Sequence, residues 1–294
     1  MRKPKLSIGT KHSLTGWAFL SIAAGLILWM NFYPMARGLY MAMQTGVGAN
    51  MEFAGLVNFQ RLLVDPQFRQ TIITTFLYLL VQVPIMLLFA LVLASMLNDR
   101  SLKFKGLFRT AIFLPCTVGL VAYSLIFRQM FAFDGIINTL LVNIGILETG
   151  HNWLGTVWSA RAVIIIGLLW RWTGFNMIFY LAGLQNIDRS IYEAANIDGA
   201  SAMQVFWRIT IPLLRPIILL TAIMSTNGTL QLIDESLNLT DGGPGIASRT
   251  MSHQVFAMAF QGNPNLGYAS AMSFVIFIFV AVLALAQMKV GDRR

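Results

Sequence analysis

Six long apolar runs, at about 17–38, 71–97, 110–131, 161–184, 216–236 and 268–288, dominate a chain of 294 residues. A helix needs roughly 20 apolar residues to cross the hydrocarbon core of a bilayer, and each run is long enough to do so. Charged residues make up only 11% of the chain, against about 25% in a soluble domain. The expected fold class is therefore an all-α integral membrane protein with six transmembrane helices. Little chain is left for a separate soluble domain.

Arg2, Lys3, Lys5 and Lys11 precede the first run, as they would in a secretory signal. The run "WAFLSIAAGLILWMNFYPMARGLYMAMQ" continues too long for one and shows no small-residue cleavage site. Residues 1–16 are read as a cytoplasmic N-terminal segment and 17–294 as the transmembrane domain. The single Cys116 excludes an intrachain disulfide and says nothing about redox compartment.

The basic residues orient the spans. With both termini inside, the cytoplasmic segments hold 14 of the 21 Lys and Arg and five of the 12 acids. Beyond the N-terminal cluster, these bases are Arg100, Lys103, Lys105 and Arg109, then Arg189, Arg208 and Arg215, then Lys289, Arg293 and Arg294. The remaining seven bases and seven acids cancel, so the whole net charge of +9 falls on one face, as the positive-inside rule requires. The bases are dispersed over four short segments beside apolar helices, which excludes a nucleic-acid face as the better account.

This orientation puts 39–70, 132–160 and 237–267 outside and 98–109 and 185–215 in the cytoplasm. Outside, "AFDGIINTLLVNIGI" has helical apolar spacing suited to the membrane interface. "LTDGGPGIASRT" is a turn-rich loop. There is no internal repeat, no low-complexity tract and no phosphate-binding Gly-x-x-x-x-Gly-Lys-Ser/Thr loop, so any use of ATP belongs to another chain.

The cytoplasmic stretch "YEAANIDGASAMQVFWRITIPL", residues 192–213, is unusually polar for its neighbourhood. "SIYEAANI" favours a short helix, and Asp198-Gly199 breaks it. Ser201 followed by Gln204 reads as a capping box that restarts a helix. Met203, Phe206 and Trp207 share a face of that helix, and Pro212 is expected to end or bend it. Local pattern fits an amphipathic surface loop. It also fits a docking element, because Ala194 and Ala195 admit a close backbone while the Glu193 carboxylate offers a hydrogen-bonding group.

Glu193-Ala194-Ala195, three residues, Gly199, nine residues, Ile209, one residue, then Ile211-Pro212 resembles the EAA motif of permease subunits in bacterial ABC importers, with Ile211 where Leu is usual. "FAGLVNFQRLL", "LTDGGPGIASRT" and "YASAMSFVIFIFV" extend the resemblance over nearly the whole chain, to the first of the two permeases in carbohydrate importers of the maltose and glycerol-phosphate type. The resemblance implies a type I ABC importer transmembrane domain in the bacterial cell membrane, multi-pass, with both termini cytoplasmic. It implies a coupling helix at about 190–212, carried by Glu193, Ala194, Ala195, Asp198, Gly199, Ile209 and Pro212, seated on an ATPase subunit. The implied partners are a second permease, two ATPase subunits that bind ATP and Mg, and an extracytoplasmic solute-binding protein. No cofactor is expected in this chain.

Polar groups inside a bilayer usually face the bundle interior or a water-filled cavity. In the fourth run Leu168, Trp172 and Phe175 share a face with Asn176 beside them; in the fifth, Ser225, Thr229 and Leu232 repeat that spacing, with Asn227 and Gln231 nearby. Aromatic planes with hydroxyls and amides suit a sugar. The resemblance places these faces at the sugar site of maltose-type permeases, with Leu168 and Leu232 where the maltose system has amide-bearing residues. Packing within the bundle is the competing reading of the same residues.

Arg171 is the most unusual residue within a span, and Asp234 or Glu235 could pair with it across helices. An acidic substrate such as a phosphorylated polyol is the other partner it could meet. His12, His151 and His253 fall on opposite sides of the membrane without metal-ligand spacing. An ion-coupled secondary transporter would call for intramembrane acids or inverted repeats, neither of which stands out. A membrane enzyme would need a convergent catalytic set, and none is legible.

Overall fold

The computed structural model describes residues 8–46, 50–99 and 101–291. Residues 1–7 of the expected cytoplasmic segment, together with Arg100, Asp292, Arg293 and Arg294, lie outside the described residues. Helix α1 (Ile8–Ile27) passes through a π-helical turn, Leu28–Phe32, into α2 (Tyr33–Ala42). A short antiparallel pair follows, β1 (Gln44–Thr45) against β2 (Glu52–Phe53), with Gln44 opposite Phe53. Then come α3 (Val57–Val64), α4 (Pro66–Asn98), α5 (Lys105–Thr117), α6 (Leu120–Met130), α7 (Ile136–Asn143) and α8 (Val157–Gln185). The remainder is α9 (Arg189–Ile197), α10 (Ala202–Val205), a second π-helical turn Phe206–Thr210, α11 (Ile211–Leu230), α12 (Asp234–Thr240), α13 (Met251–Phe260) and α14 (Leu266–Gly291). Helix α7 falls within the segment expected to form an interfacial helix.

Among the described residues five helices are long and apolar enough to cross a membrane: Gly16–Ala42, α4, α8, Ala202–Leu230 and α14. The third expected span is different. Its two halves, α5 and α6, meet at 98°, and together they supply the sixth crossing only as a bent pair. Val118 and Gly119 at the break have extended ψ values of 134° and 139°. Broken backbone at membrane depth survives only where protein satisfies the freed groups. Val118 N–H donates to Pro115 O at 3.3 Å, Tyr123 N–H to Gly119 O at 3.0 Å, and Arg171 Nη1 of α8 to Val118 O at 2.7 Å.

The fifth expected span also needs correction. It runs from Ala202 to Leu230 as one helix rather than over 216–236, so Asp234 and Glu235 begin a separate helix beyond its end. Pro212 does not stop it. Proline lacks an N–H, and the preceding π turn shifts the ladder so that Ile211 N–H reaches back to Phe206 O. Pro34 follows the first π turn in the same relation, which is why the first span also stays continuous.

Helix α8 is the hub. Val163, Ile164 and Leu168 pack with Tyr78 of α4, Tyr123 and Phe127 of α6, and Leu239 of α12. About two and a half to four and a half turns beyond Leu168, Met177, Tyr180, Leu181 and Leu184 pack with Ala90, Leu91 and Ala94 of α4 and Leu214 of α11. Helices in lipid gain little from apolar contact alone and rely on close approach at small residues. Gly174 supplies that approach, because a Cβ there would sit 2.0 Å from the Ile112 carbonyl oxygen of α5. Gly174→Ala should therefore force α5 away at a cost of about 1–3 kcal/mol, lowering the melting temperature of the purified protein. Gly106→Ala, where a Cβ meets nothing within 4 Å, is the matched control and should melt unchanged.

Candidate functional site: a helical knob joined to a cavity

Asp188 caps α9 by accepting from Ser190 N–H at 3.0 Å, and this backbone hydrogen bond holds its carboxyl below the usual range. The helix closes in a Schellman motif: Ala200 N–H donates to Ala195 O at 2.9 Å and Gly199 N–H to Asn196 O at 3.1 Å. That closure needs a left-handed residue, and Gly199 has φ of +73°. The capping box is present, with Gln204 N–H donating to Ser201 Oγ at 3.3 Å and Ser201 N–H to Gln204 Oε1 at 2.8 Å.

The result is a knob whose outer surface carries Glu193, Ala194, Asp198 and Gly199. Ala195 faces the other way and is buried, so only one alanine of the pair lies on the outer surface. Exposed apolar side chains add to this surface: Ile197 is 86% exposed, and Met203 and Trp207 are exposed too, with Trp207 Nε1 donating to Met203 Sδ at 3.0 Å. Phe206 turns inward onto the cluster of α4, α8 and α11 residues around Leu181 and Leu214, away from its two expected face-mates. Ile209 is half-buried and Pro212 exposed, both within the unbroken helix that rises into the membrane.

That helix connects the knob to a cavity. Ala202–Leu230 has 29 residues, which at 1.5 Å per residue spans about 44 Å. Its membrane half lines a cavity of about 340 Å³ together with α4, α8, Leu120 at the start of α6, and residues 231–235. Six of the seven expected residues converge there: Trp172, Phe175, Asn176, Ser225, Thr229 and Gln231. Leu168 and Leu232 line it too. Trp172 and Phe175 meet edge to face, with centroids 6.0 Å apart.

Asn227 is the exception. It stands two residues from Ser225, about 200° around a helix, and lines a separate crevice between α11 and α14, where its Oδ1 accepts from Gln231 Nε2. Gln82 and Met86 of α4 take part although sequence reasoning passed over them. Thr229 Oγ1 donates to Gln82 Oε1 at 3.2 Å, Gln82 Nε2 to Met86 Sδ at 3.1 Å, and Ser225 Oγ to Asn176 Oδ1 at 3.4 Å. A lone amide inside the apolar run "LVQVPIM" was the available signal for Gln82; Met86 carried none.

Arg171 does not line the cavity. It is 5% exposed, and besides Val118 O its guanidinium lies over the rings of Tyr123 at 5.1 Å and Trp172 at 5.3 Å. Arg171 Nε and Glu235 Oε1 are both buried without a hydrogen-bond partner, so the expected cross-helix pair does not form through those atoms. Burial pushes the Glu235 carboxyl up to about 7; a backbone hydrogen bond opposes the rise, Asp234 adds to it, and Arg171 and a hydrogen bond with the Trp172 side chain oppose it further.

The expected outer loop "LTDGGPGIASRT" folds back onto the bundle. Ala247 O accepts from Arg161 Nε at 2.8 Å and from Thr74 Oγ1 at 3.0 Å. His253 Nδ1 pairs with Ser236 Oγ at 2.9 Å, and burial, then Arg249, pushes its ring down to about 4. Among the described residues no group of three or more His, Cys, Asp or Glu is placed to hold a metal ion.

Residues 63–294 match the family model described as binding-protein-dependent transport system inner membrane component. The chain belongs to that family. These inner-membrane permeases include relatives close to this one. The lactose transport system permease protein LacF of Rhizobium radiobacter is 47% identical over 290 residues, covering 98% of this chain and 97% of that protein. The trehalose/maltose transport system permease protein MalF of Thermococcus litoralis is 34% identical, covering 82% and 81%. In structure, a chain of a bacterial ABC transporter for import of the acidic polysaccharide alginate matches with a TM-score of 0.84 over 96% of each chain, at 23% identity. The fold is that of the type I importer transmembrane domain, and the permease is a multi-pass protein of the inner membrane.

Proposed function

We propose that this permease supplies one half of the pathway of an ATP-driven importer for a sugar or oligosaccharide. It works with a second permease, two ATPase subunits that bind ATP and Mg, and an extracytoplasmic binding protein that delivers the cargo. Both termini lie in the cytoplasm. The chain itself moves solute and carries out no covalent chemistry.

One observation carries the reading: a single helix, Ala202–Leu230, has the capping-box corner of the knob at one end and Ser225 and Thr229 of the cavity at the other. A displacement imposed on the knob by an ATPase subunit reaches the cavity wall without passing through a loop. ATP binding then stabilises one arrangement of the bundle over the other, which is the only way a ligand shifts such an equilibrium. The cavity suits a sugar because an aromatic pair faces amides and hydroxyls across it. The sugar systems of its relatives support the same cargo class.

The test is reconstitution of the complete complex in proteoliposomes. Sugar-loaded binding protein should stimulate ATP hydrolysis and ATP-dependent sugar uptake. Uptake by this chain alone, driven by an ion gradient and indifferent to ATP, would sink the proposal in favour of a secondary transporter.

A further inference from the structure

The cavity has an acidic edge that the sugar-facing helices do not account for. Glu235 lies in the first turn of α12, beyond the end of the fifth span, yet it lines the same cavity as Trp172, Asn176, Ser225 and Thr229. It is 2% exposed, and its Oε1 is buried with no hydrogen-bond partner. A buried carboxyl oxygen left unpaired is costly, and such groups in a native fold call for an explanation. Trp172 on the cavity wall is a hydrogen-bond partner of the carboxyl, yet Oε1 itself has none. Tyr123 Oη is itself buried without a partner, and Arg171 spends Nη1 on Val118 O. Asp234 lines the cavity beside Glu235, while no Lys or Arg among the described residues does.

We propose that Glu235 is a cargo-positioning and specificity residue: its free carboxyl oxygen accepts a hydrogen bond from a hydroxyl of a neutral sugar stacked near Trp172, and the Asp234–Glu235 edge disfavours anionic sugars. The inference rests on the sugar reading above and narrows it. A sugar hydroxyl both donates and accepts, so it fits a carboxyl whichever proton count that group carries. A carboxylate or phosphate on the cargo brings like charge against two acids, while Arg171 behind the wall is already engaged by Val118 O and the Tyr123 and Trp172 rings; the repulsion costs affinity as the dielectric falls.

Equilibrium binding to the complete purified complex, held with ATP and vanadate, tests this. The probes are lactose, maltose and trehalose, and a disaccharide of equal size bearing one uronic carboxylate. Wild type should bind at least one neutral disaccharide more tightly than the acidic one. Glu235→Ala should weaken neutral binding about 10- to 100-fold, the range for a hydrogen bond to a charged group. Glu235→Gln keeps an acceptor oxygen of the same shape; it should recover most of that loss and narrow the gap between neutral and acidic probes at least tenfold. Thermal melts of both variants report folding separately. Unchanged neutral binding in Glu235→Ala, or an undiminished gap in Glu235→Gln, overturns the inference and leaves the sugar reading standing. A wild-type complex that binds none of the sugars overturns both.

Discussion

Replacing Gly199 by proline should abolish uptake, to about 1% of wild type or below, and weaken the hold on the ATPase subunits. Gly199 has φ of +73°, and its N–H closes the Schellman motif onto Asn196 O. Proline cannot adopt that φ and has no N–H to donate, a combined cost of about 3 kcal/mol or more. The cost falls on a corner that carries little packing of its own, since nothing lies within 4 Å of a Cβ built on Gly199. The knob should therefore lose its shape while the membrane bundle stays folded. Gly199→Ala, strained by about 1–2 kcal/mol in the left-handed region, and Gly199→Asn, which tolerates it better, should fall between proline and wild type in that order. Glu193→Lys separates shape from charge: α9 should still form, because Glu193 is exposed, but the charge presented to the partner reverses. The measurements are co-purification of the ATPase subunits and solute uptake. Normal uptake in Gly199→Pro and Glu193→Lys, with the complex intact, would remove the coupling role from this segment.

Much of this corner was legible because each residue acts locally. Ser201 and Gln204 are three apart, Gly199 needs only its own φ, and spacing alone carries both. Membrane crossings were legible for the same reason, since length and apolarity are properties of a stretch. Hydropathy has no direction, so it could not show that α5 and α6 turn through 98° inside one apolar run. Pro212 misled because the rule for proline concerns an α-helical ladder, and a π turn upstream changes the ladder before proline is reached. Asn227 is near Ser225 in sequence but not on the helix surface, whereas Ser225 and Thr229, four apart, do face the same way. Gln82 and Met86 are likewise four apart on α4, but their role depends on which face of α4 meets α8 and α11, a tertiary fact.

Arg171→Met should lower the melting temperature of the complex by several degrees and cut uptake more than tenfold, although Arg171 touches neither the cavity nor the knob. The reason lies in the broken third span. Val118 O sits where a continuous helix would have supplied an N–H, and Arg171 Nη1 supplies one at 2.7 Å instead. Methionine fills similar volume but donates nothing, leaving a buried carbonyl unpaired at a cost of about 1–3 kcal/mol. It also removes the cation between the Tyr123 and Trp172 rings, a further contribution of about 0.5–2 kcal/mol. Without that anchor the bend is free to shift, and the bend carries Leu120 into the cavity wall, while Trp172 forms the facing part of it. Arg171→Lys keeps the charge and one donor but loses the planar fork, so it should restore stability in part and uptake less. A structural role predicts loss for every cargo alongside the fall in melting temperature. If Arg171 instead met an anionic cargo, Arg171→Met would spare the melting temperature and affect acidic solutes alone; an unchanged melt would therefore refute the anchor.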